Sequence, residues 1–450
     1  MAPRRGSKED TEEGLAPLPS GAGEVENDPT IGHDAVFGAI TEKGPNYRDV
    51  GWLGSAALMM KSQIGLGVLS IPSAFDALGI IPGIICLLTV AALTSWSDYV
   101  IGMFKLRHRE IWGIDDAAGL MFGKVGQEFL GVAFVLYTIF VAASGILGIS
   151  ISLNAMSTHG ACTAVFVAVS SIAVFGCSIY LVTIAAAVQD RPSEAPQEGV
   201  WVSDYKLINN PSFADAISAI CTFVFAYAGT PLFFPIAAEM RDPREYTKAL
   251  ILCQSTVTAT YIIIGIIVYY YCGSYVASPA LGSAGPVIKK IAYGLALPGL
   301  LAGATINAHA ASKYPFIRLL RGSRHLTANT FTHWAYWLGC TFTVSLSAYA
   351  IASGIPIFHA LVSLVGALLG TLMCFQPMGC MWLYDNWSRG RSGDRSFNWT
   401  VQACVAVFVV VSGMFLTVAG TYGTVVGVIK AFRETKGAAA WSCADNSNSV

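Results

Sequence analysis

Apolar runs of about 20 to 28 residues, separated by short polar stretches, fill the chain from residue 51 to residue 429. A helix rises about 1.5 Å per residue, so runs of this length match the roughly 30 Å hydrocarbon core of a bilayer. The fold class is therefore all-α, and we expect an integral, multi-pass membrane protein. The pattern predicts ten spans, at about 51–79, 81–105, 128–152, 161–188, 212–240, 247–272, 292–317, 332–353, 355–383 and 399–429.

The first predicted span contains the sequence QIGLGVLSIP, from Gln63 to Pro72. Gly65 and Gly67 each weaken a helix by about 1 kcal/mol relative to alanine, and Pro72 lacks an amide hydrogen and clashes with the preceding turn. Freed backbone groups are tolerated at membrane depth only where they face protein, water or a ligand. We therefore expect a helix broken at mid-membrane, with bare amides and carbonyls available to bind something small and polar.

A second break is predicted within the span 212–240, in the sequence AYAGTP from Ala226 to Pro231. Two broken helices in corresponding positions of two halves mark the binding site of many secondary transporters. Amides at a helix N-terminus suit a carboxylate, and freed carbonyls suit an ammonium. The alternative is that the glycines only permit tight packing of ordinary helices. Because both breaks occur together, we favour a transporter of a zwitterionic molecule.

The composition excludes several other classes. The chain is 54% hydrophobic and 12% charged, whereas soluble proteins have about 25% charged residues. A net charge of −1 gives no basis for nucleic-acid binding. The eleven cysteines form no CxxC pair and no metal-type spacing, so we expect small buried hydrophobes. No HExxH, GxSxG or paired-aspartate motif lies within a span. We therefore expect no enzyme, no cofactor and no metal.

Polar sequence flanks the apolar region at both ends. Residues 1–46 are rich in Gly, Pro, Ser and acidic residues and lack the pattern of a signal peptide, which predicts a disordered tail. Residues 47–430 are predicted to form the transmembrane domain, and residues 431–450 a second disordered tail.

Basic residues in short loops prefer the cytoplasm, and their positions require one more crossing than the apolar runs provide. The basic loop at 105–109 fits a cytoplasmic N-terminus. Three later basic clusters lie at 241–248, 318–324 and 389–395. With four crossings before the polar loop 189–211, all three clusters would lie outside the cell membrane, and with five crossings all three would lie on the cytoplasmic side. Thirty residues at 161–190 cannot form two full spans, so a span is predicted to be shortened or missing there.

Two motifs carry a family resemblance. The sequence MMKSQIGLGVLSIPSAFDALG resembles the opening of the amino acid/auxin permease family, and FVFAYAGTPLFFPIAAEMRDP resembles its sixth span. WVSDYKLINNPSFADAI is similar to the fungal neutral amino acid permeases of this group. The resemblance runs from about residue 48 to 430. It implies a leucine-transporter-type fold, with five-plus-five inverted repeats and an eleventh helix.

The chain departs from the family pattern in one place. The family has separate fourth and fifth spans, whereas this chain has a single apolar run, 161–188, in their place. We therefore expect about 10 spans instead of 11. A deletion or a truncated gene is favoured over a working ten-span variant. This agrees with the charge argument, which uses no family knowledge.

The resemblance implies secondary active transport of neutral amino acids by alternating access, coupled to protons or, in some branches, to sodium; we favour proton symport. The substrate carboxylate is expected on the amides around Gly65–Leu69 and its amino group on the carbonyls of Phe225–Gly229. The leucine-transporter comparison directs the Tyr137 hydroxyl at the carboxylate. Phe223 and Tyr227 either flank an apolar substrate side chain or pack against a neighbouring helix. The predicted substrate-binding residues are Ile64, Gly65, Leu66, Gly67, Val68, Leu69, Tyr137, Phe223, Phe225, Ala226, Tyr227, Ala228, Gly229 and Thr230.

Five polar side chains in the spans are candidates for coupling or gating, namely Lys61, Asp98, Glu239, Asn307 and His309. A lysine near mid-span is costly unless it is paired or reaches the interface. Lys61 therefore either snorkels to the cytoplasmic face or pairs with Glu239 or Asp98. Glu239 can instead lie at the interface, and His309 is either a titrating group or a hydrogen-bonded structural histidine.

The competing function is a non-transporting amino acid sensor or an inactive truncated relative. No intramembrane charge pair is dedicated to the substrate, which favours neutral side chains. The expected partners are a neutral amino acid and the lipid bilayer, with no nucleic acid, and the oligomeric state stays open. The expected location is the plasma membrane rather than the vacuole, with a cytoplasmic N-terminus.

Overall fold

The computed structural model describes residues 50–157, 201–320, 330–391 and 396–434 as continuous stretches, together with two short strands and isolated positions at 192, 195, 196, 198, 323, 325 and 441. The predicted span at 161–188 lies outside the described residues. Contacts divide the chain into two units, residues 1–46 and residues 47–450.

The first unit contains an antiparallel hairpin of β1 (Gly32–Asp34) and β2 (Gly38–Ile40), in which His33 pairs with Ala39. These six residues are the described part of the segment predicted to be a disordered tail. The rest of that segment lies outside the described residues, so the disordered tail stays a prediction.

The second unit is helical. Eight helical segments in its described part are long and apolar enough to cross a membrane, and α1 and α2 together cover the first predicted span. Helices therefore occupy nine of the ten predicted spans. The last helix continues to Glu434, four residues past the predicted domain end at 430. The helices are α1 Trp52–Gln63, α2 Leu66–Leu78, α3 Ile80–Arg107, α4 Ile114–Ser157, α5 Phe213–Ala226, α6 Phe233–Glu239, α7 Tyr246–Cys272, α8 Pro286–Leu320, α9 Phe331–Gly354, α10 Phe358–Val365, α11 Thr371–Cys374, α12 Gln376–Arg391 and α13 Phe397–Glu434.

The first span is broken, but the interruption is shorter than the sequence suggests. Helix α1 ends at Gln63 and α2 begins at Leu66, so two residues separate them. Most of the predicted break at Gly65–Leu69 is therefore the first turn of α2. Pro72 lies inside α2, which continues for six residues beyond it. The expectation that this proline helps to break the helix is wrong, because a buried helix tolerates one lost backbone hydrogen bond where protein surrounds it.

The second span is broken after Ala226, where α5 ends, and resumes at Phe233 after a 3₁₀ turn at Thr230–Leu232. The two broken helices run in opposite directions. Val50, just before α1, accepts a backbone hydrogen bond from Arg241 at 3.0 Å, just after α6. At the other end, α2 packs against α5. This antiparallel relation is the one expected of inverted repeats.

The remaining helices surround the two breaks. Helix α7 packs against α1, α2 and α3, and α8 runs along α4. The span formed by α5 and α6 is 89% buried, and the span of α10 to α12 is 78% buried, whereas α9 and α13 are 17% and 28% buried. The broken span α5–α6 is thus central, and α9 and α13 present apolar surface outward, as lipid-facing helices do.

Candidate functional site

A cavity of about 260 Å³ lies where the two breaks meet, between α1, α4, α6 and α8. A space of this size is on the scale of a small-molecule site. Its wall is mostly apolar, and its polar elements at the breaks are backbone groups, the Tyr137 hydroxyl and the side chains of Lys61, Ser62 and Gln63. The predicted substrate-binding residues that line it are Ile64, Gly65, Gly67, Tyr137, Phe225 and Ala228.

Seven of the predicted substrate-binding residues lie away from the cavity among those that the structure describes. Phe223 packs edge-on against Phe75, with ring centroids 5.8 Å apart. Tyr227 donates a hydrogen bond to Thr258 Oγ1 at 2.9 Å. In this conformation both aromatic side chains contact neighbouring helices, and a role beside the substrate stays a prediction. The seven are Val68, Leu69, Phe223, Ala226, Tyr227, Gly229 and Thr230, and the side chain of Leu66 lies outside the described part of the chain.

Each break has a glycine whose missing side chain makes room for the other break. A Cβ atom on Gly67 would lie 2.5 Å from Ala226 Cα and 2.9 Å from its Cβ. A Cβ atom on Gly229 would lie 2.7 Å from Ser62 Oγ and 2.8 Å from Gln63 Cγ. At Gly67 the close atom belongs to the backbone, so the two breaks can approach this closely only with glycine there, whereas at Gly229 the side chains of Ser62 and Gln63 would have to move.

The amides at the first break are available to a ligand. Helix α2 has no side-chain cap at Gly65, and the first amides of a helix have no partner within it. Among the described residues, the backbone N–H groups of Leu66, Gly67 and Val68 have no acceptor. The N-terminus of α2 therefore directs bare donors and a partial positive charge at the break, where they suit a carboxylate.

The carbonyls at the second break, in contrast, all accept internal hydrogen bonds. Those of Phe225 and Tyr227 accept two each, whereas those of Ala226, Ala228 and Gly229 accept one. A carbonyl oxygen has two lone pairs, so the latter three can each accept a second donor. The expectation of empty carbonyls is therefore corrected to one of partly occupied acceptors. The donors are the N–H groups of Tyr227 and Ala228 to Phe225, the Tyr261 hydroxyl to Ala226, Gly229 N–H and Gln63 Nε2 to Tyr227, the Tyr137 hydroxyl to Ala228, and Leu232 N–H to Gly229.

The Tyr137 hydroxyl differs from its expected role. It donates to the carbonyl of Ala228, one of the acceptors expected for the substrate amine, whereas the expected acceptor was the substrate carboxylate beside the α2 amides. The hydroxyl oxygen still has lone pairs that can accept from an ammonium. In this conformation Tyr137 therefore belongs to the amine side of the cavity.

Tyr261 on α7 was not predicted as a site residue. Its hydroxyl lies 2.8 Å from the carbonyl oxygen of Gln63 and 2.8 Å from that of Ala226, the last residues of α1 and α5. One hydroxyl hydrogen is shared between the two breaks. In the sequence Tyr261 is one tyrosine in an apolar span, and no local pattern marks it.

Three of the coupling candidates line the cavity, namely Lys61 in the last turn of α1, Glu239 at the end of α6 and Asn307 on α8. Lys61 Nζ donates to the carbonyl of Gly299 on α8 at 3.2 Å, and Asn307 Nδ2 donates to the carbonyl of Gly303 at 3.0 Å.

The remaining two candidates lie elsewhere. Asp98 is fully buried on α3 and accepts a hydrogen bond from Gln254 at 2.6 Å. The His309 ring packs against Trp337, with centroids 5.1 Å apart. Among the described residues, the ion pairs of Lys61 with Glu239 or Asp98, one of the two alternatives predicted for it, are not formed, and its ammonium contacts the Gly299 carbonyl. A coupling or gating role for these residues stays a prediction.

Comparisons with known proteins agree with this geometry. The profile of a family described as transmembrane amino acid transporter protein matches residues 48–184 and 166–425. The two matches overlap at residues 166–184, within the apolar run that is predicted to replace the fourth and fifth spans of the family. A protein of Gibberella moniliformis named transmembrane transporter is 32% identical, over 93% of this chain and 95% of that protein. The N amino acid transport system protein of Neurospora crassa is 29% identical, over 93% and 95%.

The fold also has a solved counterpart. The crystal structure of MhsT in complex with L-phenylalanine superimposes with a TM-score of 0.51 at 11% identity, covering 85% of this chain and 98% of that one. At this identity the likeness shows the fold alone, that of a polytopic leucine-transporter-type protein. With the sequence matches, it establishes that this chain is a multi-pass membrane protein that belongs to the family of transmembrane amino acid transporter proteins.

Proposed function

We propose that this chain carries neutral amino acids across the membrane together with protons, by alternating access around the two breaks. The observation that supports it best is the cavity itself, because its lining includes both kinds of polar group that an amino acid needs. Gly67, in the first turn of α2, has an amide that has no acceptor among the described residues and that suits a carboxylate. The Ala228 carbonyl and the Tyr137 hydroxyl oxygen, also in the lining, suit an ammonium.

The neutral substrate is inferred from the charges around the cavity. In the described part of the chain, Lys61 and Glu239 are the charged side chains on its wall. Lys61 lies in the last turn of α1 and already donates to the Gly299 carbonyl, and Glu239 lies at the far end of α6 from its break. The rest of the wall beside the breaks includes the apolar side chains of Ile64, Val141 and Phe225. An ionised substrate side chain there would lose its hydration without gaining a partner, which is costly.

The conformation also fits alternating access. The cavity extends between α1 and α6, while α2 and α5 are in contact at Gly67 and through Phe75 and Phe223. We infer a cytoplasmic N-terminus, because Lys105 and Arg107 end α3 on the side where α1 begins. The structure then corresponds to a state closed toward the outside. The proposed location is the plasma membrane.

Uptake of radiolabelled amino acids into proteoliposomes tests the proposal. Neutral amino acids should accumulate when the outside is acidic, and replacing sodium with choline should leave the rate unchanged. Cationic and anionic amino acids should compete poorly. Binding of a neutral amino acid without any uptake would refute transport and support the sensor instead. Accumulation that requires sodium at constant pH would refute proton coupling.

A tyrosine variant tests the site. Tyr137→Phe removes one hydrogen-bonding group beside Ala228, and a single such group contributes about 0.5–1.5 kcal/mol, more when its partner is charged. We expect the KM for a neutral amino acid to rise about tenfold. Tyr422→Phe is the matched control, because Tyr422 is 62% exposed on α13, away from the cavity. An unchanged KM in Tyr137→Phe would exclude this residue from substrate binding.

A further inference from the structure

A buried carboxyl group lies within the membrane-spanning part of the fold but outside the cavity. Asp98 is fully buried in α3, nine residues before the helix ends at Arg107, which is about 14 Å along the axis. Its Oδ2 atom accepts a hydrogen bond from Gln254 Nε2 at 2.6 Å, and its backbone carbonyl accepts one from the Tyr246 hydroxyl at 2.9 Å. A carboxyl at this depth in a span is a functional candidate.

The Thr230 hydroxyl is a partner that can serve either protonation state of Asp98. In the described part of the chain, Asp98 Oδ1 and Thr230 Oγ1 are buried without a fixed hydrogen bond, although the Thr230 side chain interacts with this carboxyl group. A hydroxyl both donates and accepts, so it can donate to an ionised Oδ1 or accept the proton of a protonated one. The direction of this hydrogen bond would therefore reverse with the protonation of Asp98.

The charges around Asp98 also favour the neutral form. The titratable side chains that interact with it are Tyr246 and Cys253 on α7 and Cys374 on α11. None of them is a cation, and the described helices α2, α5, α6 and α12 place no charged partner on this carboxyl group. A buried carboxylate without a cation or a full set of donors is strongly disfavoured. A neutral carboxyl group avoids this cost while the surrounding helices exclude water.

Thr230 connects this carboxyl group to the break between α5 and α6, the segment that is proposed to move during transport. It begins the 3₁₀ turn that follows the second break, directly between α5 and α6. Any rearrangement of that break changes the contact between Thr230 and Asp98. Proton occupancy and the conformation of the broken helix are therefore linked in both directions, as thermodynamic coupling requires.

We propose that Asp98 is the proton-binding site of this transporter and that Thr230 links its protonation to the second break, an inference that rests on the proposed proton-coupled transport. On loading, a proton leaves a hydronium ion on one side of the membrane and forms an O–H bond at Asp98 Oδ1. On release, that bond breaks and the proton passes to water on the other side. No electron or other group is transferred.

Infrared titration of the purified full chain tests proton binding without depending on transport. The wild type should show a carboxylic-acid C=O band that persists into the neutral pH range and that Asp98→Asn lacks. Thr230→Val should retain the band but shift it to higher frequency, because the protonated carboxyl loses an acceptor. Glu110→Gln is the matched control, since Glu110 is in a loop with 62% of its side chain exposed. The same band in wild type and Asp98→Asn would overturn the proposal.

Proteoliposome assays then test coupling. In Asp98→Asn, accumulation driven by a pH gradient should fall at least tenfold, while counterflow exchange at symmetric pH stays within about twofold of the wild type. Accumulation in Asp98→Asn that follows the pH gradient as in the wild type would overturn the assignment. If accumulation by the wild type does not depend on the pH gradient, the proposed proton coupling is refuted, and the infrared band separately shows whether Asp98 binds a proton. If Asp98→Asn does not fold, the shift of the band in Thr230→Val tests the assignment instead, and an unshifted band would overturn it.

Discussion

Replacing Gly67 with alanine adds one methyl group where the two breaks meet. The new Cβ would lie 2.5 Å from Ala226 Cα, whereas ordinary van der Waals contact begins at 3.4 Å, so the backbones must separate by about 0.9 Å. Overpacking of this kind costs about 1–3 kcal/mol, which is roughly 5- to 150-fold in an equilibrium constant. The contact involves backbone atoms of a buried segment, so a rotamer change cannot relieve it.

This cost applies to the conformation in which α2 and α5 are in contact. We expect Gly67→Ala to insert normally in the membrane and to lower uptake per molecule at least fivefold, measured with labelled neutral amino acid and corrected for surface expression. Gly339→Ala is the matched control, because a Cβ on Gly339, an exposed glycine in α9, has nothing within 4 Å. Wild-type KM and maximal rate in Gly67→Ala would refute the close approach of the two breaks.

Two further predictions concern stability. Tyr261→Phe leaves two buried carbonyls without their shared donor, so we expect the free energy of unfolding to fall by about 1–3 kcal/mol. This should appear as a lower Tm in detergent, whereas Tyr270→Phe, which changes a half-exposed tyrosine, should keep the wild-type Tm. A wild-type Tm in Tyr261→Phe would contradict the role of this hydroxyl in connecting the two breaks. Partial burial alone would raise the pKa of Asp204, but hydrogen bonds from the Ser274 hydroxyl and amide lower it below its ordinary value of 3.8. A depressed pKa gives stability that is present above the unfolded pKa and lost as pH falls through the folded one. The Tm of the wild type should therefore fall more between pH 6 and pH 3 than the Tm of Asp204→Asn. An equal fall in both proteins would contradict this prediction.

The sequence predicted the helical spans and the existence of both breaks, because apolar length and Gly/Pro content act locally. It predicted the limits of the first break less well. Pro72 was expected to interrupt the helix, yet α2 continues through it. Whether a proline breaks a helix depends on what surrounds the freed carbonyl, and that is decided by tertiary packing. The same holds for Phe223, whose contact with Phe75 depends on where α2 and α5 meet.

The parts of the site that could not be predicted are those in which distant segments share one polar group. Tyr261 is nearly 200 residues from Gln63 in the chain, yet its hydroxyl contacts the ends of both α1 and α5. Asp98 likewise has its partners on α7 and next to the second break. Both residues lie on helices that pack against the broken pair rather than in it. A substrate at the breaks and a proton at Asp98 would therefore both act on the segment from Ala226 to Thr230. Coupling between them then requires no direct contact, because each ligand needs only to favour the same position of that segment.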